Sequence, residues 1–449
     1  MADTIVGVAT AQGEGGIAVV RVSGDGAAAL FERVFIPRNG RPPFESHRLM
    51  TGWVADGGEK IDEAMGVVMY APKSYTREDV CEIYTHGGSA AATLTMRLLV
   101  RLGARPAEAG EFTRRAFMNG RLDLMQAEAV MSVISARSAA ALRAGELQLE
   151  GGQSRFIKSA QEKLTRLLAG LEAHLDYPDE IDEDEALRGL DEGLGRLICE
   201  LSGAIDERGA RILREGLRVA LIGRPNAGKS TLFNALLGEE RAIVTSAPGT
   251  TRDVLEGEFS LDGFAVRLYD TAGLRESGDE AERIGVERAK AALRQADVAL
   301  LVLDASREPE AGERELLKRA LACPCAVLLN KEDACERLTV QEAERMTAHR
   351  PVLRVSALEA RGLEAVKDYL RTFTAAPQER ALTQERHMSL AREALERLRQ
   401  AQSALLNGGP PDLAGVDMHE ALYLLGRITG ESVDEKLLDD IFSRFCVGK

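Results

Sequence analysis

The chain has 449 residues, enough for about three domains, with 45% hydrophobic and 29% charged side chains and a mean hydropathy of −0.15. These values exclude a disordered or collagen-like chain. Aromatics at 4% and a single tryptophan, Trp53, point to helical regions with aliphatic cores. A formal charge of −14 excludes general nucleic-acid binding driven by counterion release. If the chain acts on RNA, a local patch or a basic partner must hold it.

Met1–Thr10 lacks the basic start and apolar stretch of a signal peptide. The best apolar run, Val298–Leu303, is too short to cross a bilayer. The expectation is a cytoplasmic protein with no membrane contact. Its cysteines, at 81, 199, 323, 325, 335 and 446, show no zinc spacing and read as reduced thiols. Cys446-Val-Gly-Lys449 has the outline of a prenylation box, but the final lysine and the lack of a polybasic lead-in argue against it.

In chain order, residues 1–119 alternate short apolar runs with turns. Ile17–Val22, Ala64–Tyr70 and Val80–Thr85 predict strands and Ser89–Leu102 a helix, which makes a small α+β domain. From 120 to 215 the pattern turns to long helices rich in Ala, Leu, Glu and Arg. An acidic run from Asp176, broken by Pro178, reads as a solvated loop and helix start. From 216 to 375 strands and helices alternate: Leu217–Ile222, Ala265–Tyr269, Val298–Leu303, Ala326–Leu329 and Val352–Val355 are buried-strand runs. That alternation predicts a mostly parallel, doubly wound sheet. Asp262-Gly263 predicts a hairpin that adds one antiparallel edge strand. Helical pattern returns over 376–449. The simplest architecture is multidomain α/β: an N-terminal α+β domain, then a discontinuous all-helical domain (120–215 and 376–449) interrupted by an inserted α/β domain (216–375).

Gly223–Ser230 matches GxxxxGK[ST] between a strand and the helix Thr231–Leu237. Backbone amides of Asn226, Ala227, Gly228 and the residues that follow would wrap phosphates at a helix N-terminus. Lys229 would reach the terminal phosphates and the Ser230 hydroxyl would ligate Mg²⁺. Asp270-Thr271-Ala272-Gly273 follows a strand, where a second carboxylate and a γ-phosphate-sensing glycine belong. Asn330-Lys331-Glu-Asp333 closes another strand, and the Asp333 carboxylate can accept both guanine N–H donors. Ser356-Ala357-Leu358 would support the base, and Gly249-Thr250-Thr251 offers the switch threonine, Thr251, that completes Mg²⁺ coordination. Together they predict a GTP-binding domain of the Ras-like P-loop GTPase type, inserted in the helical domain. Leu274, where Ras-like enzymes carry the water-orienting glutamine, can neither donate nor accept a hydrogen bond. Glu276, Glu280 and Glu282 lie downstream, and the residues alone do not choose among them.

With Thr4-Ile-Val, Glu111-Phe-Thr-Arg-Arg-Ala-Phe, Leu122-Asp-Leu-Met-Gln-Ala-Glu-Ala, Asp176-Tyr-Pro-Asp-Glu and the terminal Phe445-Cys-Val-Gly-Lys449 added, the whole chain resembles the MnmE (TrmE) family of bacterial tRNA-modifying GTPases. The resemblance implies that the first domain binds a one-carbon tetrahydrofolate, 5,10-methylene or 5-formyl, through Arg21, Glu82, Arg121 and Lys449, and forms a homodimer. On the residues alone these four are ordinary surface charges. It adds Thr231, Thr245, Ser246, Ala247 and Pro248 to the GTP contacts. It implies K⁺ held by Asn226 and by the carbonyls of Thr245, Ala247 and Thr250 when two GTPase domains meet, with Glu282 as catalytic acid/base. Cys446 is implied to serve the modification step; its plain reading is a buried small hydrophobe. The implied activity is GTP hydrolysis coupled to adding a carboxymethylaminomethyl or aminomethyl group at carbon 5 of the tRNA wobble uridine, with a flavoprotein partner, MnmG. The alternative from another class is a ribosome-assembly GTPase switch, which needs an RNA-binding appendage such as a KH domain. A third reading is a folate enzyme with a regulatory GTPase.

Overall fold

The computed structural model describes residues 3–11, 13–177, 183–238, 255–270, 293–308, 323–334, 337–347, 350–376, 378–446 and 448, with backbone alone for 183–186, 255, 256 and 270. The chain divides into two compact units: residues 1–131, 148–202 and 389–449, and residues 132–147 and 203–388. The cuts fall within helices, so sequence continuity and compactness part company here. Among the described residues no helix is long and apolar enough to cross a membrane.

The first unit carries a seven-stranded sheet. Its strands are β1 (Ile5–Val8), β2 (Ile17–Ser23), β3 (Phe35–Pro37), β4 (Met50–Asp56), β5 (Glu59–Met69), β6 (Val80–His86) and β7 (Arg105–Pro106), in the order β3-β4-β5-β6-β2-β1-β7. All pairings are antiparallel except β1 with β7. Helices α1 (Ala27–Val34) and α2 (Ser89–Arg101) bury Phe31, Leu98 and Leu99 together with Val20, Val22 and Ile83 of the sheet. Alternation along β2 sends Val20 and Val22 into this core and leaves Arg21 on the opposite face, where it can do chemistry. Helix α3 (Glu111–Met118) follows. The helix Glu435–Ser443 near the chain end packs on it, with Arg114 paired to Asp439 at 2.9 Å.

Strands β1, β3, β4 and β7 have no clear sequence signal. The reason is visible in β4, where Gly52 interrupts the apolar pattern because a Cβ there would lie 2.2 Å from the Ile36 carbonyl oxygen.

In the second unit the strands are β8 (Leu217–Ile222), β9 (Leu255–Leu261), β10 (Phe264–Asp270), β11 (Val298–Asp304), β12 (Cys325–Asn330) and β13 (Val352–Arg354), in the order β13-β12-β11-β8-β10-β9. All neighbours are parallel except the β9–β10 hairpin. Its turn residues, Asp262 and Gly263, both have positive φ (50° and 84°), the requirement of a tight hairpin turn. Val219 and Leu221 enter one core while Ala220 and Ile222 enter another on the opposite face. Covering both faces explains why these strands read as continuous apolar runs.

The described cysteines 81, 199, 323, 325 and 446 are free thiols. Burial pushes the Cys325 thiol up to about 12, leaving it inert.

Candidate functional site

Parallel strands all end at one edge of a sheet, and the second unit collects its polar loops there. The helix Lys229–Gly238 starts directly after the loop that follows β8, two residues earlier than its apolar pattern predicts. Gly223 at the loop's start comes close to β11: a Cβ there would sit 2.5 Å from the Val302 carbonyl oxygen. Asn226 at the loop tip is exposed and has φ +64°, a left-handed conformation that asparagine tolerates. Lys229 is 4% exposed, and its ammonium donates to the carbonyls of Gly223 and Arg224, each at 2.8 Å. Two loop carbonyls thus hold this cation at the start of the helix, whereas a phosphate would be held by the loop's N–H groups. Ser230 is exposed at the helix start.

On the base side, Asn330 at the end of β12 is buried and uses both ends of its amide. Nδ2 donates to the Ala227 carbonyl at 2.8 Å, and Oδ1 accepts from the Ala357 N–H at 3.0 Å. One side chain therefore ties the phosphate loop to the base loop. Gly228 makes room for it, since a Cβ there would fall 2.1 Å from Asn330 Nδ2. Asp333 is exposed, with Oδ1 accepting from the buried Ser356 hydroxyl at 2.5 Å. That bond holds the Asp333 carboxyl below the usual carboxylate range. Leu358 is exposed. Lys331, at φ +70°, donates to Asp304 Oδ2 at 2.6 Å. Burial raises the Asp304 carboxyl, but bonds from Lys331 and Ser306 more than offset it, and the net direction is down.

Asp304 is absent from the sequence reading; its signal is a carboxylate ending an apolar strand next in the sheet to the Asn330 strand. Asp270 ends β10 opposite Leu221 of β8. Residues Thr245–Thr251, Thr271–Gly273, Leu274, Glu276, Glu280 and Glu282 lie outside the described residues. Among the described residues no group of three or more His, Cys, Asp or Glu could hold a metal ion.

The first unit assembles a second site. Arg21 and Glu82 are cross-strand partners in the β2–β6 register, joined by Nε and Nη2 to Oε1 at 2.8 Å and only 14% and 13% exposed. The Tyr84 hydroxyl donates to the other Glu82 oxygen at 2.5 Å. Burial first, and that bond second, push the phenol up to about 12. The Arg21 guanidinium also lies over the rings of Tyr75 (5.4 Å) and Phe112 (5.7 Å). Arg121 lies over Tyr75 at 4.7 Å and donates to its carbonyl at 3.1 Å. Tyr75 and Tyr84 carry no sequence signal, because their roles arise only from the register and from the loop after β5, while Phe112 comes from α3.

The far end of the chain arrives at the same place. Gly110, with φ +65°, donates to the Cys446 carbonyl at 3.4 Å, and a Cβ there would lie 2.7 Å from the Phe442 carbonyl oxygen. Gly448 accepts from Arg21 Nη1 at 3.4 Å and approaches Gly7 of β1. Cys446 is exposed, so the buried-hydrophobe reading does not hold. Lys449 lies outside the described residues. The structure thus gathers Arg21, Glu82 and Arg121 around Tyr75, with Gly448 alongside.

The mostly parallel sheet, with the Gly223–Ser230 loop, Asn330, Asp333 and Ser356 gathered at one edge, has the architecture of a P-loop GTPase. The family model described as "GTP-binding protein TrmE N-terminus" matches residues 4–121, and that described as "MnmE helical domain" matches residues 124–446. The tRNA modification GTPase MnmE of Heliobacterium modesticaldum is 45% identical, with 100% of this chain and 99% of that protein covered. Those of Moorella thermoacetica and Listeria welshimeri are 43% and 40% identical, each with the same coverage of 100% and 99%. The chain belongs to the MnmE (TrmE) family of tRNA modification GTPases.

Proposed function

We propose that this GTPase couples GTP hydrolysis to the addition of a carboxymethylaminomethyl or aminomethyl group at carbon 5 of the wobble uridine of certain tRNAs. It does so in the cytoplasm, as a homodimer, with the flavoprotein MnmG as partner. The observation that carries this reading is the seating of the Cys446–Gly448 chain end beside the Arg21–Glu82 pair, 427 residues apart along the chain. A carboxylate, two arginines and two aromatic rings, with the Gly448 carbonyl at Arg21, make a site for a flat, hydrogen-bonding ligand with an anionic tail. A pterin fits that donor set: Glu82 accepts from its ring N–H groups, Tyr75 and Phe112 flank it, and Arg21 and Arg121 attract the tail, with Lys449 added from the chain end. Tetrahydrofolate, when bound, supplies the one-carbon unit.

In the GTPase unit, Lys229 neutralises the terminal phosphates, leaving the Gly223 and Arg224 carbonyls that hold it now. Ser230 and Thr251 would ligate Mg²⁺. Asp333 selects guanine. Leu274 leaves the attacking water without a side-chain partner, so Glu282 is assigned to orient and deprotonate it. The exposed Asn226 side chain at the loop tip fits a K⁺ ligand, with the carbonyls of Thr245, Ala247 and Thr250. That ion would supply positive charge near the β/γ bridge.

The test is Cys446→Ser. Nucleoside mass spectrometry of tRNA from cells carrying only this variant should lack the modified uridine, while GTP hydrolysis by the purified variant stays within about twofold of wild type. Full modification by the variant would remove Cys446 from the chemistry.

A further inference from the structure

A hollow of about 500 Å³ opens in the first unit next to Tyr75. Its lining includes His47, Lys73, Ser74, Arg77 and Arg121, and no acidic side chain. All three strong cations are exposed, and none is paired with a carboxylate among the described residues. Arg77 and Arg121 are instead oriented through backbone carbonyls. Arg77 donates to Asn119 at 3.0 Å, and Arg121 donates to Tyr75 at 3.1 Å. Three unpaired cations on one hollow stand out in a chain of net charge −14. A concave surface lined by one sign of charge attracts and concentrates anions.

Tyr75 belongs to both sites. Its ring lies under Arg21 and Arg121, and its side chain lines the hollow. A ligand whose ring system sits at Arg21–Glu82 therefore runs past Tyr75 into the cationic hollow. The volume suits a flexible chain of drug-like size rather than a nucleic-acid duplex. Arginines suit carboxylates, which they grip two-pronged.

We propose that this hollow binds a γ-linked oligoglutamate tail, so that the protein prefers folates carrying several glutamates over the monoglutamate. The proposal rests on the folate reading above and adds Lys73 and Arg77 as specificity-determining residues. Each exposed charge pair contributes about 1.5- to 5-fold in affinity, so the preference is about tenfold at low salt and shrinks as salt screens it.

Calorimetric titration of the full-length protein with 5-formyltetrahydrofolate bearing one or five glutamates tests it. Wild type should bind the pentaglutamate about tenfold tighter. Lys73→Ala/Arg77→Ala should bring the two forms within about twofold of each other while leaving monoglutamate affinity unchanged. Arg77→Lys should retain part of the preference. Equal affinities in wild type overturn the proposal and leave the folate reading standing. Binding of neither form overturns the folate reading, and with it this one. A preference that survives in the double variant overturns the assignment of Lys73 and Arg77. So does a variant that loses tRNA affinity and keeps its tail preference, which would make the hollow an RNA contact.

Discussion

The two candidate sites stand on opposite kinds of sheet. In the GTPase unit β8, β12 and β13 run parallel, so the loops after them meet at one edge, and each loop is a short continuous stretch of chain. Phosphate recognition there depends on consecutive backbone N–H groups, which must be neighbours in sequence. The N-terminal sheet is antiparallel. Its site comes from side chains placed opposite each other by register, Arg21 against Glu82, and from a chain end docked by Gly110 and Gly448. A backbone-built site writes a motif; a register-built site does not. The two sites should also fail differently when altered, and that difference can be measured.

The largest effect should come from the base. Asp333 is exposed and preset by Ser356, so Asp333→Asn should exchange guanine for xanthine nucleotide specificity. A preference of about 10⁴-fold should be lost in competition binding, the range for sites that pair a substrate's own N–H donors. A variant that still selects GTP would break the assignment of this edge as the base site. Next is hydrolysis. Glu282→Ala, or Na⁺ in place of K⁺ at equal ionic strength, should each slow GTP turnover by about 10²–10³. Tail-dependent folate binding should stay untouched in both cases. Equal wild-type rates in the two salts would reject the ion.

Gly110→Ala attacks the other site alone. At φ +65°, with Phe442 O 2.7 Å from the new Cβ, it should destabilise docking of the chain end by about 1–3 kcal/mol. Thermal unfolding should report this as a lower Tm with less tRNA modification, while GTP binding persists. Parallel loss of GTP binding would show that the two sites are not independent.

The smallest effect is in acid. Asp304 titrates below its ordinary value, so its pairing with Lys331 stabilises fully above about pH 4 and is lost as pH falls through the depressed value. Guanidinium midpoints between pH 5 and 3 should therefore fall more for wild type than for Asp304→Asn. Identical slopes would remove Asp304 from the base-side network.

The sequence alone determined the apolar strands of the GTPase unit, from Leu217–Ile222 to Val352–Arg354, and the position of the loop after β8, because buried parallel strands are apolar runs and phosphate loops are contiguous. It also carried the Asp262-Gly263 hairpin, where two consecutive positive φ values leave few residue choices. Tertiary structure alone decided the rest. It turned Asn330 into the tie between Ala227 and Ala357, set Asp304 against Lys331, stacked Arg21 and Arg121 on Tyr75, brought Gly448 to Arg21, and left Cys446 exposed. It also divided the chain within helices, joining residues 132–147 to 203–388. The physical reason is common to these features: each depends on which distant segments share a face, and one chain's local pattern fixes periodicity but not partners.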